Sequence, residues 1–118
     1  MKKVIALFAS VLLLAGCSSS SSTVDLSVSE FSSKVTEAGI ITLDVRTPGE
    51  FNEGHIEGAQ LIDFQSGNFE NEIATLDKSK TYFLYCRSGN RSGQAVSILK
   101  KLGIKSFNLV GGIGAWPR

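Results

Sequence analysis

The stretch Tyr85-Cys86-Arg87-Ser88-Gly89-Asn90-Arg91-Ser92-Gly93 sets a thiol among small residues and arginines, with no histidine beside it. A free cysteine ionises near pH ~8.5, so a nucleophilic one needs a surrounding that favours its thiolate. The loop can provide that surrounding itself. Backbone N–H groups from Arg87 to Arg91 can turn inward around the sulfur, helped by Gly89 and by Asn90, which tolerates left-handed geometry. A helix beginning just beyond would add partial positive charge from its N-terminus, and Arg87 and Arg91 add formal charge. Together these place the expected thiol pKa at roughly 3.5–7.5, and no separate base is required. The competing reading is a buried, inert cysteine.

The flanking elements must hold this loop in place. Thr81 to Tyr85 (TYFLY) leads into it, and Ile41 to Val45 (ITLDV) and Ser106 to Val110 (SFNLV) are similar β-rich runs suited to buried parallel strands. After the loop, Ala95, Val96, Leu99 and Leu102 form an apolar stripe on a helix expected over Ser92 to Leu102, with Gly103 as its stop. Lys100 and Lys101 are expected to face water. Phe31, Val35 and Ala38 predict another helix starting near Ser29, and Ile73 and Leu76 a short one. Strands alternating with helices predict an α/β domain with a parallel sheet covered on both sides. In such folds ligands bind where strands end and helices begin, which is where Cys86 stands.

The chain has 118 residues, enough for one domain with a real core. Its 42% hydrophobic content is inflated by the N-terminus. Lys2 and Lys3 precede an apolar run from Val4 to Leu14 broken only by Ser10, shorter than the roughly 20 residues of a membrane span. This reads as an export signal. Its end, Leu14-Ala15-Gly16-Cys17, resembles a bacterial lipobox, at which Cys17 is lipidated and the peptide cut before it. Ordinary signal cleavage or an uncut anchor are the alternatives. Ser18 to Thr23 then form a flexible tether with a reach of roughly 13 Å. The expected organisation is a signal peptide over residues 1–16, lipidated Cys17 with a serine-rich tether over 17–23, and a folded domain over 24–118.

Such a protein is exported and membrane-anchored through lipid. Ser18 is not the aspartate that typically retains lipoproteins on an inner membrane, so the expected site is the periplasmic side of the outer membrane, or otherwise the outer face of the cell membrane. Without Lys2 and Lys3, 10 of the 12 basic residues remain against 11 acidic ones, which gives no nucleic-acid surface. If Cys17 is lipidated, Cys86 has no partner within the chain, and a solitary thiol in an oxidising compartment is a liability unless it is used.

Three segments, in this order and spacing, resemble the rhodanese family of sulfurtransferases. They are Leu43 to Ala59 (LDVRTPGEFNEGHIEGA), Tyr85 to Ala95 (YCRSGNRSGQA) and Leu109 to Trp116 (LVGGIGAW), and the resemblance runs from about Val24 to Trp116. It implies a rhodanese-like three-layer fold, with a five-stranded parallel sheet and helices on both faces. It also implies a persulfide on Cys86 as the intermediate, with Arg87, Ser88, Gly89, Asn90 and Arg91 binding the substrate. Many relatives continue through a short final helix where this sequence reads Pro117-Arg118.

The implied reaction is sulfur transfer from a small anionic donor such as thiosulfate to a thiol or cyanide, by a monomer without cofactor or metal. Two other readings stay open: a phosphatase or arsenate reductase of the same fold, and a non-catalytic binding module. Four residues separate Cys86 from Arg91, one fewer than in the related phosphatase loops, so the ring of N–H groups suits a single sulfur better than a phosphoryl group. Among the remaining polar residues, His55 is expected to tie a loop to backbone near the site. Asp44 should make a turn or capping hydrogen bond, and Arg46 should pair with Glu50 or Glu53. Trp116 is expected in packing, and Arg87 in direct contact with an anion.

Overall fold

The three β-rich runs of the sequence lie side by side, and two short strands close the sheet at its edges. In the computed structural model, which describes residues 24–117, the strands are β1 (Asp25–Leu26), β2 (Ile40–Asp44), β3 (Gln60–Leu61), β4 (Thr81–Tyr85) and β5 (Ser106–Leu109). All pair in parallel, in the order β1-β5-β4-β2-β3. The helices are α1 (Val28–Lys34), α2 (Pro48–Glu53), α3 (Phe69–Ile73) and α4 (Asn90–Lys101), followed by a 3-10 turn at Gly112–Ala115. The segment carrying the expected signal peptide, Cys17 and the tether lies outside the described residues. Among the described residues no helix is long and apolar enough to cross a membrane.

Alternation along β4 builds two cores, because successive side chains of a strand point to opposite faces. Tyr82, Leu84 and Cys86 pack with Phe69 and Ile73 of α3 and with Ala95, Val96 and Leu99 of α4. Phe83 and Tyr85 pack on the other face with Phe31 of α1 and Ile113 of the 3-10 turn. The expected α/β sheet with helices on both faces is therefore present. Trp116 lies edge-on to Phe31, with ring centroids 5.6 Å apart.

Local chemistry sets the helix starts. Ser27 and Thr47 each form a capping box, with Glu30 and Glu50 respectively, and Pro48 occupies the first turn of α2. The helix expected near Ser29 thus begins at Val28, one residue after its cap. It ends before Ala38, which is exposed in the turn leading to Gly39. At the end of α4, Leu102 is 40% exposed rather than buried, since the helix stops one residue earlier, at Lys101.

Candidate functional site

Helix α4 starts without a side-chain cap, and the sulfur of Cys86 stands in for one. Its N-cap residue, Gly89, has φ 104°, the left-handed conformation that favours glycine. That turn aims the Gly89 N–H at Cys86 Sγ, 3.1 Å away, and the Ser92 N–H reaches the same atom at 3.5 Å. The Ser92 hydroxyl lies 3.3 Å from it. Burial pushes the thiol pKa up, but hydrogen bonds from the Ser92 hydroxyl and amide and from the Gly89 and Ser88 amides outweigh it, leaving the thiol below its ordinary value. The sequence reading assigned part of this lowering to the arginines. Hydrogen bonds lead it, with Ser92, outside the expected site residues, supplying the largest share, and the charge of Arg91 couples favourably to the Cys86 thiolate beside them.

The other loop residues take distinct places. Arg87, Ser88 and Asn90 are exposed on the rim, and Asn90 accepts a hydrogen bond from Gln94 at 2.8 Å. Arg91 is half-buried and grips both carboxylate oxygens of Glu50, at 2.9 and 3.0 Å, with Gln65 Oε1 at 3.4 Å. This bidentate contact holds the Glu50 carboxyl down to about 2. A depressed carboxyl adds stability above its unfolded value, here 4.5, and that stability is lost as pH falls through about 2. Wild type is therefore expected to lose more stability than Glu50→Gln across that window, read from urea midpoints at successive pH values.

Behind α2 lies a second ion pair, buried in the fold. Arg46 Nη2 meets Asp44 Oδ2 at 2.6 Å and Gly54 O at 2.7 Å, and Arg46 Nε reaches Asp44 Oδ1 at 2.9 Å. The expected partners of Arg46 were Glu50 or Glu53. Asp44 takes their place because residues two apart at a strand end share a face, while Glu50 is held by Arg91. The guanidinium sits 5.5 Å from the centre of the Tyr85 ring, whose hydroxyl accepts the Ile56 N–H at 2.9 Å. Together these contacts fix the ends of β2 and β4 and the chain after α2. Arg46→Ala leaves Asp44 buried and unpaired and is expected to cost about 3–5 kcal/mol, measured by urea denaturation. His55 stacks on Phe51 at 3.6 Å, with its Nδ1 2.9 Å from Phe51 O, tying the loop to backbone as expected.

The chain after β5 crosses directly over the loop. Ile113 N–H donates to Cys86 O at 2.9 Å and Gly114 N–H to Arg87 O at 3.3 Å. Gly112 has φ 62°, and a Cβ there would lie 2.4 Å from the carbonyl carbon and oxygen of Arg87. A third support is Asn108 of β5, which is buried and within hydrogen-bond reach of both Ser92 Oγ and Gly89 O. Sequence reasoning missed it, although a lone amide within a buried strand signals that a polar partner must exist.

The sulfur and its amide cradle, the crossing glycines, and Glu50 that grips Arg91 come one from each of the three segments singled out in the sequence, and residues 27–118 match the family described as "Rhodanese-like domain". The chain belongs to the rhodanese-like family. This rhodanese-like chain is 42% identical over 77 residues to the "Probable adenylyltransferase/sulfurtransferase MoeZ" of Mycobacterium tuberculosis, a match covering 64% of the chain but 20% of that longer protein. It is 34% identical over 71 residues to the "Thiosulfate sulfurtransferase PspE" of Escherichia coli, covering 60% of the chain and 68% of that protein. Among solved structures, a rhodanese-like domain protein from Staphylococcus aureus superposes with a TM-score of 0.70 at 30% identity, covering 79% of this chain and 90% of that one. The sheet and its flanking helices are thus the rhodanese-like fold.

Proposed function

We propose that the protein is a sulfurtransferase that moves sulfane sulfur from thiosulfate, or a similar small anion, to cyanide or a thiol through a persulfide on Cys86. The observation that carries this reading is the convergence of loop N–H groups on Cys86 Sγ, which favours the thiolate without a base. That thiolate attacks the outer sulfur of thiosulfate. A new S–S bond forms, the old one breaks, and sulfite departs with the bonding electron pair. Cyanide or a thiolate then attacks the terminal sulfur of the persulfide and returns Cys86 as thiolate. Cys86 is only 1% exposed, which suits a small donor better than a bulky one. Relatives with sulfurtransferase names support the same reaction class.

Phosphate-ester hydrolysis is less well served. It wants a general acid near the leaving oxygen, yet the Glu50 carboxyl beside the loop is held at about 2 and is ionised at neutral pH. Asp44 is bound to Arg46. The deciding experiment compares thiosulfate:cyanide transfer with aryl phosphate hydrolysis. Transfer without hydrolysis is expected. Efficient hydrolysis, lost in Cys86→Ser, would overturn the choice of substrate.

The same reading places the enzyme outside the cytoplasm, held to a membrane by lipid on Cys17, and Leu14-Ala15-Gly16-Cys17 is its support. Wild type is expected to take up a lipid label that Cys17→Ala does not. Label retained in Cys17→Ala would remove the anchor from the proposal.

A further inference from the structure

The Ser92 hydroxyl has one proton and two acceptors within reach, Cys86 Sγ at 3.3 Å and Asn108 Oδ1 at 2.5 Å. The far end of Asn108 decides between them. Its Nδ2 lies 3.1 Å from Asp25 Oδ1 and 3.3 Å from Gly89 O. A carboxylate and a carbonyl only accept hydrogen bonds, so the amide must turn its NH₂ toward them and its oxygen toward Ser92. Two oxygens so close need a proton between them, and the Asn108 oxygen has none to give. The Ser92 O–H therefore points to Asn108. Toward Cys86 the resting Ser92 oxygen presents lone pairs, so the hydroxyl's share of the lowering at the sulfur is realised only when its proton turns from Asn108 to the thiolate.

We infer that Asn108, oriented by Asp25 and Gly89, draws the Ser92 proton away from Cys86 and so holds the nucleophile toward its neutral thiol form at rest. Ionisation of the sulfur turns that proton inward and leaves Asn108 Oδ1, in a residue only 5% exposed, without its donor. The amide cradle and the Ser92–Asn108 pair therefore oppose each other, and the thiol pKa is set by their balance. Asn108 and Asp25 are positioning residues that act on the sulfur through Ser92. The inference rests on Cys86 as the reacting group proposed above, but on no particular sulfur donor.

The test is the pH dependence of Cys86 alkylation by iodoacetamide in the full chain, followed by mass spectrometry of the Cys86 peptide. The charged groups on the elements around the sulfur are Arg87 in the loop, Arg91 with Glu50, Arg46 with Asp44, and Asp25. Asn108→Ala removes none of these charges, and the one contact it takes from them is its own hydrogen bond to exposed Asp25. It frees the Ser92 proton for the sulfur, and the thiol pKa is expected to fall by about one pH unit. A merely structural role predicts the opposite sign, because a loosened loop loses its N–H contacts and the pKa rises. In a Ser92→Ala background the Asn108→Ala shift is expected to vanish.

If Asn108→Ala does not fold, exposed Asp25 serves instead. Asp25→Ala and Asp25→Asn lose the same charge, but only Asp25→Ala loses the acceptor, so its thiol pKa should be the lower of the two. An unchanged or raised pKa in Asn108→Ala, a shift that survives Ser92→Ala, or equal values for the two Asp25 variants overturns the inference. A protein inert toward thiosulfate still gives this alkylation profile, so the two proposals fail separately.

Discussion

Cys86→Ser is expected to abolish sulfur uptake and transfer, to the level of the uncatalysed reaction, while leaving the fold intact. Serine is nearly the same size as cysteine, and its oxygen can go on accepting the N–H bonds that close the first turn of α4. Stability should therefore change by less than about 1 kcal/mol. Chemistry is what is lost. A serine hydroxyl does not ionise in the range where a perturbed thiol does, and it cannot carry sulfur as a persulfide. Parallel measurement of turnover and urea midpoint separates these effects. Residual turnover near the wild-type rate would show that some other group carries the sulfur.

Gly112→Ala is expected to damage both stability and activity. A Cβ at that position would stand 2.4 Å from the Arg87 carbonyl atoms and 2.6 Å from Cys86 O, all backbone, so no side chain can swing aside. The crossing segment must then lift from the loop, weakening the bonds from Ile113 to Cys86 O and from Gly114 to Arg87 O. Forced displacement plus a left-handed alanine is expected to cost about 2–4 kcal/mol. The loop amides lose their aim at the sulfur, and a shift of about 1 Å corresponds to roughly 10²-fold in rate. Turnover and urea midpoint of the purified variant check both numbers. Unchanged values for both would mean that the crossing segment does not set the loop.

What the sequence made legible was local. Strands β2, β4 and β5 announced themselves as short runs rich in β-branched and aromatic residues, and α4 because its stripe repeats with helical spacing. The two-residue strands β1 and β3 carry no periodicity, and only their pairing with β5 and β2 makes them strands. The site divides the same way. Cys86 and its amide cradle lie within one loop and could be read from small residues between a strand and a helix. The contacts that fix that loop come from far along the chain, as Arg91 to Glu50 spans 41 residues and Asn108 to Asp25 spans 83. Arg46 illustrates the resulting error, since spacing allowed several carboxylates and only the strand-end geometry selected Asp44.

The most direct test of Cys86 as a sulfur carrier is the intact mass of the purified protein before and after exposure to thiosulfate, with peptide mapping of any addition. One added sulfur atom on the Cys86 peptide, removed again by cyanide, is the expected result. No gain in mass, under conditions that load a control sulfurtransferase, would contradict a persulfide mechanism and favour a non-catalytic binding module.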